Sequence, residues 1–467
     1  MDELRFGTDG WRDVIADRYT FANVARVAQA TADYVASTGG SRVVVGYDTR
    51  FLSDRFAAHV AGVIAANGLE TYQAERYLPT PVTSFAVVHF QAAAGVMITA
   101  SHNPPEYNGY KLKGPYGGSA TPEIYDGMIQ RLDANPPLPS RPEAVKRFDL
   151  REAYYDRLAQ IVDLSALKSY SGALYHDAMG GAGGGWLAGF VKHAGLALDL
   201  RELHGVPHPL FYGVHPEPIP QNLVTLRAVM SAEQDPIFAA VTDGDADRIG
   251  AVLAGGAYFN SHQIFAVLLR HLYEKGLRGR VVKTFSVSQV VDRLAEKLGL
   301  EVVTTPVGFK YITDEFLKGD VLIGGEESGG IGVAGHIPER DGILNALLLL
   351  ESVVTTGKGL GEQFAEIEEL VGLSHAFDRL DLKVASPEAR DGVMKRLSEA
   401  PPDRVGRFRV EGVETLDGVK LHLEGGAWLL FRPSGTEPLL RIYCEAEDGG
   451  TVKRVLKEAQ KWVDAML

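Results

Sequence analysis

Hydrophobic and polar positions in the first third of the chain alternate between helical and strand spacing. Apolar residues recur at helical spacing from Phe21 to Ser37, and Arg42 to Tyr47 is a short run rich in β-branched residues. A second helix is predicted from Ser53 to Asn67, because Ser53 can cap it. A further apolar run, Gly95 to Ala100, ends at Ser101, after which two prolines forbid regular structure. We therefore predict alternating strands and helices, with Ser101 in a loop at the carboxyl end of a strand.

The same alternation returns twice along the chain before it changes. The second unit ends in an apolar strand, Ile237 to Val241, and the third has strands at Arg280 to Thr284 and Asp320 to Gly324. Beyond about residue 372, longer strands joined by short loops lead to a closing helix, Thr451 to Met466. This pattern predicts an α/β fold class, with three similar α/β domains in series and a C-terminal α+β domain. The expected domains are residues 1–150, 151–258, 259–372 and 373–467.

Composition restricts the class of protein. With 467 residues the chain is too long for one compact core, which agrees with several domains. A formal net charge of -13 argues against nucleic acid and anionic membranes as partners, because both require a positive surface. The single cysteine, Cys444, cannot form an intrachain disulfide, and the first residues lack the pattern of a signal peptide. We expect a cytoplasmic protein without a membrane-spanning segment.

The sharpest chemical signal is the motif DGDADR. It places Asp243, Asp245 and Asp247 at alternate positions, with only Gly244 and Ala246 between them. Three clustered carboxylates repel one another, and a hard divalent cation such as Mg²⁺ relieves that repulsion while leaving room for a phosphate oxygen. The alternative is a solvated acidic turn, which is the usual role of Asp-Gly pairs.

A second signal is the segment TASHNPPEYNGYKLKG. Here Ser101 follows directly on a predicted strand, His102 comes next, and Lys111 and Lys113 lie downstream. A serine can carry a phosphoryl group through a covalent step when a cation offsets the charge of the transferring oxygens. Taken alone, a Ser-His dipeptide is more often an ordinary turn.

Two further loops offer ligands for an anion and for hydroxyl groups. In FRPSGTEPLLRIY a guanidinium, two hydroxyls and backbone N–H groups suit the oxygens of a phosphate, from Arg432, Ser434, Gly435 and Thr436. In GGEESGG, alternation places Glu326 and Ser328 on one side of an extended loop, where they could bind sugar hydroxyls. An ordinary hairpin and ordinary surface punctuation are the respective alternatives.

Together these motifs resemble the α-D-phosphohexomutase family. GTDGWR, TASHNPPEYNGYK, DGDADR, GGEESGG and RPSGTEP stand in the order and approximate spacing of that family, over essentially the whole chain. The resemblance implies a four-domain, heart-shaped enzyme in which each domain contributes one loop to a central cleft.

The resemblance also implies roles for individual residues. Ser101 would be the phosphoserine, and Asp243, Asp245 and Asp247 would hold Mg²⁺ with it. Arg12, His102 and Lys111 would line the transfer site, with Lys111 as proton carrier and Arg12 lowering its pKa. The implied substrate-binding residues are Arg248, Lys283, Lys310, Glu326, Ser328, Arg340, Arg432, Ser434, Gly435, Thr436 and Arg441. Taken singly, Arg12, Lys283, Lys310 and Arg340 are more typical of surface charges.

The implied reaction is a phosphoglucomutase cycle. Phosphorylated Ser101 would give its phosphate to a hexose monophosphate, making glucose 1,6-bisphosphate, the intermediate and activator, and would then take back the other phosphate. The sugar loop favours glucose, because the mannose-accepting branch commonly reads GEMSGH where this chain has Glu327 and Gly330. Arg340 stands where a lysine is common in the glucose branch.

Other functions stay open from the sequence. They are a relaxed phosphohexomutase that also accepts mannose phosphates, a glucose 1,6-bisphosphate synthase, and a non-enzymatic sugar-phosphate scaffold. The expected partners are small hexose phosphates, and the expected assembly is a monomer or homodimer.

Overall fold

The computed structural model describes residues 3–433 and 439–466, and it places four β-sheets one after another along the chain. The first three sheets combine parallel and antiparallel strands with helices, and the fourth is entirely antiparallel. The predicted series of three α/β domains and a C-terminal α+β domain is therefore confirmed.

The first sheet is built around parallel strands β3, β5, β4 and β8, and it is extended by antiparallel β6, β2 and β1 in the order β1-β2-β6-β5-β3-β4-β8. Its strands are β1 (Phe6–Gly7), β2 (Gly10–Val14), β3 (Arg42–Tyr47), β4 (Glu70–Ala74), β5 (Ala94–Ile98), β6 (Tyr107–Gly114), β7 (Gly118–Ser119) and β8 (Lys146–Phe148). Its helices are α1 (Phe21–Ser37), α2 (Ser53–Ala66), α3 (Thr80–His89) and α4 (Pro122–Ile129).

The second and third sheets repeat the parallel arrangement on a smaller scale, in the orders β10-β9-β11-β12-β13 and β15-β14-β16-β17. The second unit contains α5 (Arg151–Ala159), α6 (Leu164–Lys168), β9 (Ala173–Asp177), α7 (Trp186–Ala194), β10 (Asp199–Leu203), α8 (Val224–Met230), β11 (Phe238–Thr242), β12 (Ile249–Leu253) and β13 (Tyr258–Phe259). The third contains α9 (Ser261–Glu274), β14 (Arg280–Thr284), α10 (Gln289–Lys297), β15 (Val302–Thr305), α11 (Phe309–Lys318), β16 (Val321–Gly325), β17 (Ile331–Val333), α12 (Gly342–Thr356) and α13 (Leu360–Val371).

The fourth sheet runs β18-β23-β22-β21-β20-β19 and carries two long helices. Its elements are β18 (Ala376–Lys383), α14 (Pro387–Glu399), β19 (Arg404–Val405), β20 (Phe408–Glu414), β21 (Val419–Leu423), β22 (Trp428–Pro433), β23 (Leu439–Ala446) and α15 (Gly449–Met466). Single turns of 3₁₀ helix lie at Pro142–Ala144, Phe211–Gly213, Pro220–Asn222 and Ala254–Gly256. The expected domain boundaries stay predictions, and the one after residue 258 falls inside β13.

The two largest hydrophobic clusters lie in different parts of the chain. One continuous cluster runs through the first three units, and a separate cluster lies between the fourth sheet and its helices. Alternation along β22 explains the separation, since Leu429 and Phe431 face that second cluster, while Trp428 and Leu430 pack with Phe285 of the third unit. The fourth domain is therefore attached through the outer face of its sheet.

Helix α12 is the most buried helix of the third unit, since every residue from Gly342 to Val353 is buried. In the described ranges of the chain, no single helix is long and apolar enough to cross a membrane. The helices α12 and α13 reach that length and composition only as a pair, bent by 79°.

Candidate active site

Ser101 lies in the loop after β5, as predicted, and its backbone holds a conformation that is uncommon for a residue with a side chain. Its φ is 52°, in the left-handed region, and only 1% of the residue is exposed. The Ser101 N–H donates to Thr99 Oγ1 at 2.8 Å, and the Ser101 hydroxyl donates to Asp243 Oδ2 at 2.8 Å. The loop therefore aims the hydroxyl at the DGDADR motif.

A buried arginine that the sequence reading missed supports this loop. Arg50 follows β3, and its guanidinium donates to four carbonyl oxygens at 2.6–3.0 Å: those of Ser101, Asn103 and Pro104 in the loop and that of Tyr107 at the start of β6. Its charge is balanced by Asp48 at 3.2 Å. Since four carbonyls converge on one planar cation, Arg50 fixes the course of the backbone that carries Ser101.

The three aspartates lie in the turn between β11 and β12, and all three side chains are fully buried. One oxygen from each carboxylate falls within 4.8 Å of the others. Among the described residues, Oδ1 of Asp245 and Oδ1 of Asp247 have no hydrogen-bond partner. Burial, together with the neighbouring Asp245 and Asp247, raises the pKa of Asp243 well above its usual range. Buried carboxylate oxygens that lack donors and repel one another suit a hard divalent cation.

Lys111 projects from β6 into the same cluster. Its ammonium donates to Asp245 Oδ2 at 2.8 Å and to Asp247 Oδ2 at 2.9 Å, and it lies 3.0 Å from Asp9. Burial alone would lower the pKa of Lys111, but these carboxylates outweigh burial and raise it. The expectation that Arg12 lowers the pKa of Lys111 is therefore wrong, because the three carboxylates around the Lys111 ammonium raise that pKa. Arg12 donates to Asn103 Oδ1 at 2.8 Å.

Asp9 is a second residue that the sequence reading missed. It lies in the turn between β1 and β2, and its Oδ2 is 2.9 Å from the Arg340 guanidinium of the third unit and 3.5 Å from Arg12. Arg340 is also 2.9 Å from Asp247 Oδ2. Asp9 is the acid of GTDGWR, but its two nearest partners, Lys111 and Arg340, lie on distant segments that only the fold brings together.

The GGEESGG loop joins the cluster through Glu326 and Gly330. Glu326 is buried 3.6 Å from Arg340, and Gly330 forms a single β-bridge with Arg248. Burial raises the pKa of Glu326 to about 7, although Arg340 and Arg248 oppose the shift. Ser328 is half-buried in the same loop. The structure thus brings the GGEESGG loop, the three aspartates and the Ser101 loop together in one cluster.

The fourth sheet contributes a row of arginines. Arg432 and Arg441 are directly opposite each other on β22 and β23, so both side chains lie on one face of the sheet. Arg432 donates to Asp417 Oδ2 at 3.0 Å. Arg379 on β18 shares this face, was not predicted, and approaches Glu327 of the third unit at 3.5 Å. The predicted phosphate ligands Ser434, Gly435 and Thr436 lie outside the described residues.

Among the hydrogen bonds and ion pairs of the described residues, three of the predicted site residues have no contact with the aspartate cluster: Lys283, Lys310 and His102. Lys283 is buried and pairs with Asp292 and the Val287 carbonyl, while the Lys310 ammonium lies 5.2 Å from the ring centre of Tyr311. His102 is half-buried beside Ser101, and burial, together with nearby cations, holds its pKa well below the usual range. In the described part of the chain, His102 Nδ1 has no hydrogen-bond partner.

Comparisons with known proteins give the family. Four family models of phosphoglucomutase/phosphomannomutase match in series: α/β/α domains I, II and III at residues 3–137, 152–256 and 260–370, and the C-terminal domain at residues 382–461. The chain belongs to the α-D-phosphohexomutase family. It is therefore an isomerase that moves a phosphoryl group on a sugar phosphate, and the scaffold alternative is set aside.

Similar phosphohexomutases carry different names. The chain is 30% identical to a probable phosphoglucosamine mutase of Pyrococcus horikoshii, over 99% of this chain and 98% of the relative. It is 29% identical to a phosphoglucomutase of Komagataeibacter xylinus, over 99% and 91%. A crystal structure of a putative phosphomannomutase from Thermus thermophilus is 48% identical, with a TM-score of 0.90 and 99% of both chains covered. The names agree on the reaction and differ in the sugar.

The glycine-rich segment 180–185 of this phosphohexomutase packs against the aspartate turn. Ala182 N–H donates to the Gly244 carbonyl at 2.9 Å, and a Cβ at Gly181 would lie 2.6 Å from that same oxygen. On its other side, a Cβ at Gly244 would lie 2.4 Å from the Ser101 carbonyl oxygen. Three backbones are thus in direct contact, so the glycines set how closely the Ser101 loop and the aspartates approach.

We expect Gly181→Ala to displace the aspartate turn, because the new methyl group meets backbone atoms rather than a movable side chain. Mutase turnover at limiting Mg²⁺ should fall about 10- to 100-fold, the usual cost of disturbing residues that orient metal ligands. The measurement is turnover across a Mg²⁺ titration. Gly392→Ala is the matched control, since a Cβ there meets nothing within 4 Å. An unchanged Mg²⁺ dependence in Gly181→Ala would show that the segment does not set the turn.

Proposed function

We propose that this phosphohexomutase uses Ser101 as the phosphoryl carrier and interconverts glucose 1-phosphate and glucose 6-phosphate. The observation that carries the proposal is the 2.8 Å hydrogen bond from the Ser101 hydroxyl to Asp243, the first of three buried aspartates. A serine held against a site for a divalent cation has the arrangement that phosphoryl transfer requires, since charge must be offset where the phosphate forms.

Asp243, Asp245 and Asp247, with a Ser101 phosphate oxygen, would hold Mg²⁺. The donor set fits because two buried carboxylate oxygens lack partners among the described residues. When bound, Mg²⁺ supplies positive charge that offsets the charge of the transferring oxygens.

The surrounding side chains position the reacting groups and balance charge. As the bond between phosphorus and the Ser101 oxygen breaks, a sugar hydroxyl oxygen forms the new bond to phosphorus and releases its proton. We propose His102 Nδ1 as the acceptor of that proton, because His102 directly follows Ser101 in the chain and its Nδ1 is unpartnered within the described ranges. Lys111 acts as a fixed cation, since its raised pKa keeps it charged. Arg12 completes the positive side of the transfer site.

The rest of the cleft would bind the sugar and the second phosphate. Glu326 and Ser328 would bind the sugar hydroxyls. Arg340 lies 3.6 Å from Glu326, and Arg248 bridges Gly330 of the same loop. Arg432 and Arg441, with Ser434, Gly435 and Thr436, would bind the phosphate that is not being transferred. Under this proposal glucose 1,6-bisphosphate turns around between the two ends. Lys283 and Lys310 stay predictions, as do the cytoplasmic location and an assembly no larger than a homodimer.

The preference for glucose rests on Glu327. Its carboxylate lies between Ser286 Oγ at 3.4 Å and the Arg379 guanidinium at 3.5 Å, so it links the sugar loop to the fourth domain. The methionine of the mannose-accepting branch could not form this ion pair. The 48% identical structure named a putative phosphomannomutase favours a second candidate, a relaxed phosphohexomutase that also accepts mannose phosphates.

Replacing Ser101 by alanine should abolish mutase turnover, because no other group in the cleft would carry the phosphoryl group. We expect a loss of at least about 10⁴-fold, comparable to removing a covalent nucleophile. Turnover is measured with glucose 1-phosphate, Mg²⁺ and a trace of glucose 1,6-bisphosphate. Ser352→Ala, a buried serine of α12, is the matched control. Substantial turnover by Ser101→Ala would refute the assignment of the carrier.

Sugar preference is tested by comparing kcat/KM for glucose 1-phosphate, mannose 1-phosphate and glucosamine 1-phosphate. We expect glucose to be preferred by at least about tenfold, the range available from contacts to a single hydroxyl in a pocket. Glu327→Met should reduce that preference, while Glu369→Met, on the exposed side of α13, should leave it unchanged. Equal rates on glucose and mannose phosphates by the wild-type enzyme would support the relaxed phosphohexomutase instead.

A further inference from the structure

An ion pair between the first and third units lies fully buried next to the cleft. Lys113 Nζ donates to Glu339 Oε2 at 2.5 Å, and neither side chain has any exposed surface. Glu339 also accepts hydrogen bonds from the hydroxyls of Ser84 at 3.0 Å and Ser119 at 3.4 Å, both in the first unit. A carboxylate from the third unit is thus surrounded by donors of the first, which fixes its position.

Both members of the pair lie close in the sequence to a residue of the cleft: Lys113 to Lys111, and Glu339 to Arg340. Lys113 lies two residues beyond Lys111 on β6, so the two ammonium groups project from one face of the same strand. Lys111 contacts Asp245 and Asp247, while Lys113 contacts Glu339. Strand β6 therefore contacts both the aspartate turn and the segment that contains Glu339, and it fixes their relative positions.

Arg340 follows Glu339 directly in the chain. Its guanidinium lies 2.9 Å from both Asp247 and Asp9, and the other side of Arg340 is flanked by the Glu326 carboxylate. Glu339 Oε1 lies 3.5 Å from Arg340 Nε and accepts the Arg340 backbone N–H at 3.1 Å, so the carboxylate that is anchored in the first unit contacts Arg340 directly.

The backbone around Arg340 is fixed on both sides. Before it, a Cβ at Gly118 would lie 2.3 Å from the Pro338 carbonyl oxygen, so the first unit touches this segment directly. After it, Asp341 caps α12 and accepts the Tyr154 hydroxyl at 2.6 Å, and Gly342 N–H donates to the Ala246 carbonyl at 3.0 Å. The segment is therefore held by the first and second units, and Arg340 has little freedom apart from its side-chain rotamer.

We propose that Lys113 and Glu339 form a positioning pair, which sets the placement of Arg340 for substrate binding across the boundary between the first and third units. The inference rests on the proposed function, in which Arg340 contacts the sugar phosphate. Neither member touches substrate; the pair acts through Arg340.

The main test uses the double variant Lys113→Met with Glu339→Met. Removing only one member would leave a buried charge unpaired and could prevent folding, whereas replacing both by apolar side chains of similar size is often tolerated. We expect this variant to keep the wild-type melting temperature within a few degrees. Its kcat/KM for glucose 1-phosphate should fall about 10- to 100-fold, the effect of a small misplacement of a binding group. The loss should appear mainly as a higher KM.

A structural effect is separated from a positioning effect by combining the double variant with Arg340→Met. If the pair acts through Arg340, the triple variant has the same kcat/KM as Arg340→Met alone. Lys275→Met with Glu351→Met is the matched control, since Glu351 is a buried carboxylate of the third unit paired with Lys275 at 2.5 Å, away from the cleft. This control should retain wild-type kcat/KM.

Wild-type kcat/KM in the folded Lys113→Met, Glu339→Met variant would overturn the positioning role. So would independent losses that multiply in the triple variant, because they would show that the pair does not act through Arg340. A failure of the proposed function is recognised separately: Arg340→Met would then retain wild-type kcat/KM, or the wild-type enzyme would turn over none of the three sugar phosphates.

Discussion

The structure depends on confining several like charges in one buried place. Asp243, Asp245 and Asp247 are fully buried within a few ångströms of one another, and Asp9 adds a fourth carboxylate nearby. Such a cluster is unstable unless cations reach it. Lys111 arrives from the first unit and Arg340 from the third, so the balance of charge requires the first three units to meet. The ion pairs of the site therefore join the same three units that share the hydrophobic core.

The fourth domain is attached on different terms. Its hydrophobic core is separate, and it meets the third unit through the outer face of its sheet, where Trp428 packs with Phe285. Ion pairs such as Arg379 with Glu327 cross the same boundary. A domain that has its own core and a partly polar interface can move relative to its neighbours more readily than one that shares a core. Under the proposed reaction, this arrangement suits a site that admits a bisphosphate and lets it turn around.

Local sequence patterns predicted those features of the structure that depend mainly on neighbouring residues in the chain. The bounds of α1 and β3 and the loop position of Ser101 follow from apolar spacing and proline placement, and the structure confirms them. Arg50 and Asp9 were not predicted, because most of their partners lie on segments far away in the sequence, which no local pattern reveals. The pKa of Lys111 was misjudged for the same reason: the deciding neighbours are carboxylates from other segments. The expected roles of Lys283 and Lys310 gain no support from their surroundings.

The most direct test of the account is to locate the phosphate on the protein. Wild-type enzyme is incubated with Mg²⁺ and glucose 1,6-bisphosphate, digested, and mapped by tandem mass spectrometry. The account predicts one phosphoryl group, on the peptide containing Ser101 and at that residue. A phosphoryl group at another residue, or turnover without any phosphorylated protein, would contradict it.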